Sequence, residues 1–210
     1  MSLPRRAWLP QARRAPDPAE TLFWAWALAA GVALFAAWWM RQAGWWRRLV
    51  EGDPSGISIG IAVLAAVLTL WCGRRAWRLW QESLPGGAWA CAYLADRRAG
   101  LPQCAELLSE RAHGPHETAW WFASAAIKLG LLGTVVGFIV MAMQIADTPG
   151  FEIEQIQALL QQMTRGMAIA LYTTLAGLVA NLWLGLQLML LDRMADRVVA
   201  GILQSAAAQR

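Results

Sequence analysis

The chain reads as an all-α integral membrane protein: four transmembrane helices, with a short helical cytoplasmic segment between helices 2 and 3. Three observations predict this class. Four apolar runs of membrane length carry no charge, arginines cluster beside the ends of those runs, and tryptophans collect at their edges. Of 210 residues, 58% are apolar, more than a soluble domain of this size needs to bury, so no room is left for a large soluble domain.

The runs are Thr21 to Met40 and Pro54 to Gly73, each of 20 residues, Leu129 to Ala146 with 18, and Gly166 to Leu191 with 26. At a rise of about 1.5 Å per residue, even the shortest covers roughly 27 Å, close to the thickness of a hydrocarbon core. Arg5, Arg6, Arg13 and Arg14 precede the first run as they would precede a secretory signal. Its apolar part is too long for one, and Arg41 follows at once, so a retained anchor is the better reading. The chain divides into an N-terminal segment 1–20, helices 1 and 2 within 21–73, a helical segment 74–118, helices 3 and 4 within 119–191, and a tail 192–210.

Segment 74–118 is broken by Pro85, Gly86, Gly87, Gly100, Pro102, Gly114 and Pro115. Between these breakers, Ala88 to Arg98 and Gln103 to Ala112 read as two short helices. The tail keeps Met194, Val198 and Ile202 four residues apart, so helix 4 is expected to run on past the membrane.

Orientation follows from the arginines. Four precede helix 1, and Arg74, Arg75, Arg78, Arg97, Arg98 and Arg111 lie between helices 2 and 3, which places both segments in the cytoplasm. The loop between helices 3 and 4 is acidic, with Asp147, Glu152 and Glu154, and the tail is again basic, with Arg193, Arg197 and Arg210. Both termini are therefore expected inside. Arg41, Arg47 and Arg48 dissent, since this scheme puts them outside with only Glu51 and Asp53 to offset them. The 14 tryptophans include Trp24, Trp38, Trp39, Trp45, Trp46, Trp71, Trp120 and Trp121 near helix ends, an interfacial belt rather than a stacking surface. The net charge of +4 sits beside helix ends, so no nucleic acid is expected as a partner.

Enzyme chemistry has no foothold. Cys72, Cys91 and Cys104 form no zinc spacing, and His113 and His116 flank Gly114-Pro115 without a thiol or carboxylate at matching distance, so no metal is expected. No nucleotide loop, serine–base arrangement or carboxylate pair stands out. Polar content concentrates in helices 3 and 4. Gly130, Gly133, Gly137 and Met141 recur at helical steps on the third, with Thr134 beside the glycine row. Gly166, Ala170, Thr174, Gly177, Asn181 and Gly185 recur on the fourth. Small residues at this spacing let helices approach closely, and Thr and Asn bond across the contact. Such a face also serves a protein that only packs helices. A non-conducting membrane scaffold of a secretion or envelope complex is therefore the alternative function.

The segment Gly130, Leu131, Leu132, Gly133, Thr134, Val135, Val136, Gly137 resembles the third helix of the MotA/TolQ/ExbB ion-channel family. Gly166 to Gly177, containing Ala170, Thr173 and Thr174 and followed by Ala180 and Asn181, is similar to the fourth helix of its MotA branch. Where the TolQ and ExbB branches carry a glutamate in this helix, the chain has Ile169. The resemblance implies an inner-membrane motor subunit of the stator type. A homopentameric ring, with helices 3 and 4 lining its pore and helices 1 and 2 outside, would close around two single helices of a MotB/TolR/ExbD-like partner. Each partner helix would carry an intramembrane aspartate that takes up H⁺ or Na⁺, and ion flow would turn the ring, converting ion-motive force into mechanical work. The ion is cargo, and no resident cofactor is implied. By position, Thr134 and Thr174 match the threonines that face the aspartate, Thr173 lies beside them, and Asn181 continues the row. Gly130, Gly133, Gly137, Gly166, Ala170 and Gly177 are the packing residues.

The residues themselves also ask for a partner. No Asp, Glu or His lies within any of the four runs, so the chain has hydroxyls but no proton-binding group at mid-membrane. A carboxylate there costs about 2.5 to 3.5 kcal/mol on insertion scales, which reserves it for function. Its absence here points to one supplied by another chain. Lys128, the only lysine, reads either as a snorkelling anchor or as a ring of ammonium groups at the pore mouth, about 9 Å along the helix from Thr134. Close packing in the ring is expected to bury the glycines between neighbouring subunits and turn the threonines inward.

Overall fold

The computed structural model describes residues 18–44, 47, 53, 55–84, 86–146 and 153–208. Arg5, Arg6, Arg13, Arg14, Arg48, Glu51, Asp147, Glu152 and Arg210, on which much of the orientation argument rests, lie outside the described residues. Five helices follow in order: α1 Pro18–Gln42, α2 Ile57–Ser83, α3 Ala88–Arg98, α4 Cys104–Ala146 and α5 Ile153–Ala208. Among the described residues there is no strand.

Three of these, α2, α4 and α5, are long and apolar enough to cross a membrane. The first apolar run falls in α1, whose 25 residues extend about 38 Å and whose exposed side chains include Trp24, Leu28, Val32, Leu34 and Phe35. Asp53 starts α2, its carboxylate accepting the Ser58 N–H at 2.7 Å and the Ser55 N–H at 3.1 Å. Burial raises its pKa, but the hydroxyls of Ser55 and Ser58 and these backbone bonds outweigh that and hold the group below the usual carboxylate range. Gly100, at φ 75°, closes α3 by letting its own N–H reach Arg97 O and the Leu101 N–H reach Asp96 O.

The spine is the antiparallel pair α4 and α5. On α4, Ala112, His116, Ala119, Ala123, Ala126, Gly130, Gly133 and Gly137 are all buried and alternate steps of four and three. On α5, Gly166, Ala170, Thr173, Gly177, Ala180 and Leu184 do the same, and Leu188 and Leu191 are buried beyond them. A 3.5-residue repeat of this kind keeps one seam facing the partner helix along its whole length. Small residues fill the α4 side, so larger ones on α5 and α2 reach over it: Leu68, Cys72, Ala76 and Leu79 pack with Leu184, Leu188, Leu191 and Met194 around Ala119 and Ala123.

At 43 and 56 residues, α4 and α5 run about 65 and 84 Å, twice the thickness of a hydrocarbon core or more. Their charged ends therefore project. The start of α4 and the end of α5 meet α3 in a second core of Tyr93, Leu108, Val198, Ile202 and Ala206. Arg97 fastens the bundle by donating to Ala206 O at 2.9 Å, one of the carbonyls left over at the end of α5.

One boundary expected from the sequence is corrected. Gly114 and Pro115 do not end a helix, and residues 103–112 are not a separate short helix: α4 passes unbroken through Pro115. A proline at this position removes the N–H that Arg111 O would accept and pushes that carbonyl outward. The buried guanidinium of Arg75 on α2 supplies the missing donor, its Nη2 lying 3.0 Å from Arg111 O and 2.8 Å from Ala112 O. The break is mended from a neighbouring helix.

Candidate functional site at the α4–α5 seam

The glycines of the seam are where the two backbones touch. A Cβ on Gly130 would lie 3.0 Å from Thr173 O, one on Gly137 2.7 Å from Gly166 O, and one on Gly177 2.8 Å from Ala126 O. A Cβ on Gly166 would meet the Cβ of Met141 at 2.8 Å, and one on Gly133 would collide with the Thr173 side chain. Each position thus requires glycine because backbone or a fixed side chain occupies the space. The small-residue row is spent inside the chain, between α4 and α5, rather than held ready for contacts between subunits.

That packing separates the threonines. Thr173 is fully buried in the seam beside Gly133, and its hydroxyl donates back to Ile169 O at 2.9 Å and Ala170 O at 3.1 Å. Thr174 is one position round and half-buried, donating to Ala170 O at 2.8 Å with Gly130 O at 3.4 Å. Thr134 flanks the seam on α4 and donates to Leu131 O at 2.6 Å. In all three the single hydroxyl proton is engaged by backbone, while the oxygen keeps lone pairs. Thr134 and Thr174 are partly accessible at the flank and suit accepting a hydrogen bond or coordinating a cation. Thr173 is closed off within the chain. Asn181 is half-exposed, and its amide makes no hydrogen bond with the described residues.

Lys128 is exposed on α4. At roughly 100° per residue it lies about 160° from both Ala126 and Gly130, so it faces away from the seam and about 120° round the helix from Thr134.

Below the threonines lie two polar clusters that the sequence reading missed. Thr69 on α2 accepts from Gln187 Nε2 and Trp183 Nε1 on α5, each at 3.1 Å, while Gln187 Oε1 accepts from Trp26 on α1 at 3.4 Å. Nearer the charged ends, Arg75 Nε donates to His116 Nε2 at 3.2 Å, and His116 Nδ1 meets Asp192 Oδ1 at 2.6 Å. Trp120 Nε1 donates to the other oxygen of Asp192 at 3.0 Å, and the Arg75 guanidinium lies 5.4 Å from the Trp89 ring centroid. Because Nε2 accepts from Arg75, the His116 proton sits on Nδ1 and the ring is neutral. Burial lowers its pKa, with Arg75 and His113 acting the same way and Asp192 opposing them. His113 bonds Ser109 O and Asp196 through its two nitrogens, so both histidines are committed to hydrogen bonds. Among the described residues no group of three metal-ligating side chains comes together.

This seam, two long helices meeting through glycines with threonines at the flank, coincides with the family match. Residues 105–203 match the MotA/TolQ/ExbB proton channel family. Over these residues the chain is similar to that family. The match supports a membrane subunit of channel type. The match covers α4 from its first turn and α5 almost to its end, and excludes α1 and α2. No curated protein and no solved structure matched the chain.

Proposed function

We propose that the chain is the ring-forming, ion-conducting subunit of a stator-type motor in a bacterial inner membrane, working with a single-span partner that carries a membrane aspartate. The observation that carries this reading is the pairing of accessible threonine oxygens with a complete lack of acidic groups. Thr134 and Thr174 offer acceptors at the flank of the seam, and runs 129–146 and 166–191 hold no carboxylate. An uncharged hydroxyl cannot bind and release protons near neutral pH, so the titrating group comes from another chain. A protonated aspartic acid donates to a threonine oxygen. Once ionised, it loses that acceptor and turns to a cation or to water. Alternation between these states is the coupling step, and one charge moved across 100 mV supplies about 2.3 kcal/mol to drive it.

In this arrangement α1 is the fourth span and lies with α2 on the lipid side. The α3 bundle and both termini are cytoplasmic, and five copies close around two partner helices. H⁺ and Na⁺ both suit hydroxyl coordination. The test is co-expression of the chain with the single-span protein encoded beside it, followed by native mass spectrometry and flux measurement in liposomes. A heteromeric ring that conducts only with the partner present supports the reading. A stable monomer, or a ring that assembles with the partner and carries no ion, selects the scaffold function instead.

A further inference from the structure

Lys128 lies deeper than its place at the start of an uncharged run suggests. Its neighbours on either side in the seam, Ala126 and Gly130, both meet Gly177: a Cβ on Gly177 would lie 2.8 Å from Ala126 O and 2.9 Å from Gly130 Cα. Gly177 is near the middle of run 166–191, and the charges that bound this run, Arg165 and Asp192, are 12 and 15 residues away, about 18 and 22 Å along the helix. A second run agrees, since Ile61, near the middle of 54–73, packs in one cluster with Ala126 and Ala180. On α4 itself the chain is uncharged on the other side of Lys128 as well, back to Thr118. The register therefore sets this ammonium at mid-membrane, not at the helix end where a snorkelling anchor or a pore-mouth ring would stand. From mid-depth the edge of a core about 30 Å thick is about 15 Å away, and the five single bonds of a lysine side chain, about 1.5 Å each, span less than half of that.

Nothing in the chain balances this charge. Lys128 is exposed and makes no hydrogen bond or ion pair with the described residues. Trp121 and Val135, seven residues to either side on the same face, are exposed and apolar. An unpaired cation in hydrocarbon is costly, and charges inside membranes are held by pairing with one another or by facing protein. We propose that Lys128 is one half of an ion pair between chains, whose other half is a carboxylate at the middle of a membrane helix of a second, different polypeptide. Charge and depth together select this occupant. Lipid phosphates lie at the headgroups, beyond the reach of the side chain. A second copy of this chain has no Asp or Glu within 21–40, 54–73, 118–146 or 166–191, so it brings no anion to this depth. The site is also separate from the threonine flank, about 120° round α4 and about 9 Å along it from Thr134. It holds the second helix off the ion path, so its readout is association, not flux through an assembled complex.

The test places the full chain in phosphatidylcholine vesicles with three synthetic leucine-rich helices of membrane length, identical except for an Asp at the centre, an Asn at the centre or an Asp in the last turn, and reads association by Förster transfer. The central-Asp helix should bind about tenfold more tightly than either of the others. Lys128→Gln and Lys128→Met should both remove that preference and Lys128→Arg should keep it, with circular dichroism reporting the same helicity in all three. Equal binding of the central-Asp and central-Asn helices to the wild type would overturn the proposal. So would a preference for the helix with Asp in its last turn, which would set Lys128 at the headgroups. A central-Asp preference that survives both neutral substitutions and falls with valine at Thr134 and Thr174 would overturn it in favour of the threonine flank. None of these outcomes depends on ion conduction.

Discussion

Replacing Arg75 by methionine tests how α4 survives its proline. The substitution keeps most of the stem's volume and removes three donor contacts, to Arg111 O, Ala112 O and His116 Nε2. It also leaves the Asp192 carboxylate without the cation that balances it through His116. Breaking one partner out of a buried charged network typically costs about 3 to 5 kcal/mol, and a partly buried carbonyl left without a donor accounts for about 1 to 2 kcal/mol of that. Pro115→Ala returns an N–H to α4 and gives Arg111 O an intrahelical partner whether or not Arg75 is present. Arg75→Met should therefore cost about 1 to 2 kcal/mol less in the Pro115→Ala background, while Pro115→Ala alone is close to neutral. The assay is a double-mutant cycle of unfolding free energies, followed by circular dichroism in detergent micelles. Equal costs of Arg75→Met in both backgrounds, within about 0.5 kcal/mol, would refute the claim that Arg75 mends the proline break.

Valine at both Thr134 and Thr174 keeps shape and removes the oxygens, so ion flux in liposomes should collapse while the ring persists on native mass spectrometry; wild-type flux would sink the assignment. Valine at Thr173 removes a hydroxyl that only bonds its own helix and should leave flux within about twofold, whereas alanine at Gly133 collides with Thr173 and should destabilise the pair by about 1 to 3 kcal/mol in the same unfolding assay. Lys128→Gln and Lys128→Arg should both conduct near the wild-type rate, since the side chain faces away from the seam; loss in the glutamine variant alone, with assembly intact, would restore the pore-mouth role. His116 has a folded pKa below its unfolded value of about 6.5, so its contribution to stability is complete above that pH and is lost as pH falls toward the folded value. Melting temperatures of the wild type should drop across that window more steeply than those of His116→Gln, and parallel curves would count against a neutral buried imidazole.

The membrane class was legible because it rests on local composition: a long uncharged run needs no knowledge of its neighbours. The seam was half legible. The glycines at 130, 133 and 137 drew attention to α4, but the same alternation of fours and threes continues through Ala126, Ala123, Ala119 and His116 to Ala112, outside the uncharged run from Leu129 to Ala146. Following that register would have placed His116 in the seam and Thr173, rather than Thr174, opposite Gly133. The choice of Thr174 and Asn181 for the main row followed steps of three or four that suit either neighbour. Only the partner helix decides between them. The Arg75, His116 and Asp192 network was not legible, since its members lie 41 and 76 residues apart and nothing local pairs them. The proline was misread for the same reason, because a missing N–H is visible in sequence and a donor arriving from another helix is not.

Since α4 and α5 consume their glycines on each other, the proposed ring would have to build its contacts from what they leave exposed. That surface is Leu131, Val135 and Phe138 on α4 and Leu171, Leu175, Leu178 and Leu182 on α5, all apolar, together with half-exposed Asn181. Leucine and phenylalanine do not by themselves distinguish a neighbouring helix from lipid, whose tails are equally apolar. Asn181 does. Its amide has no partner within the described residues, and hydrocarbon offers none, so an isolated chain would leave two donors and an acceptor unsatisfied on a helix that crosses the membrane. A second polypeptide on that side of α5 removes the penalty, either a neighbouring copy or the partner helix. Among the candidate residues, Asn181 is thus the one that argues most directly, on packing alone, against a solitary subunit.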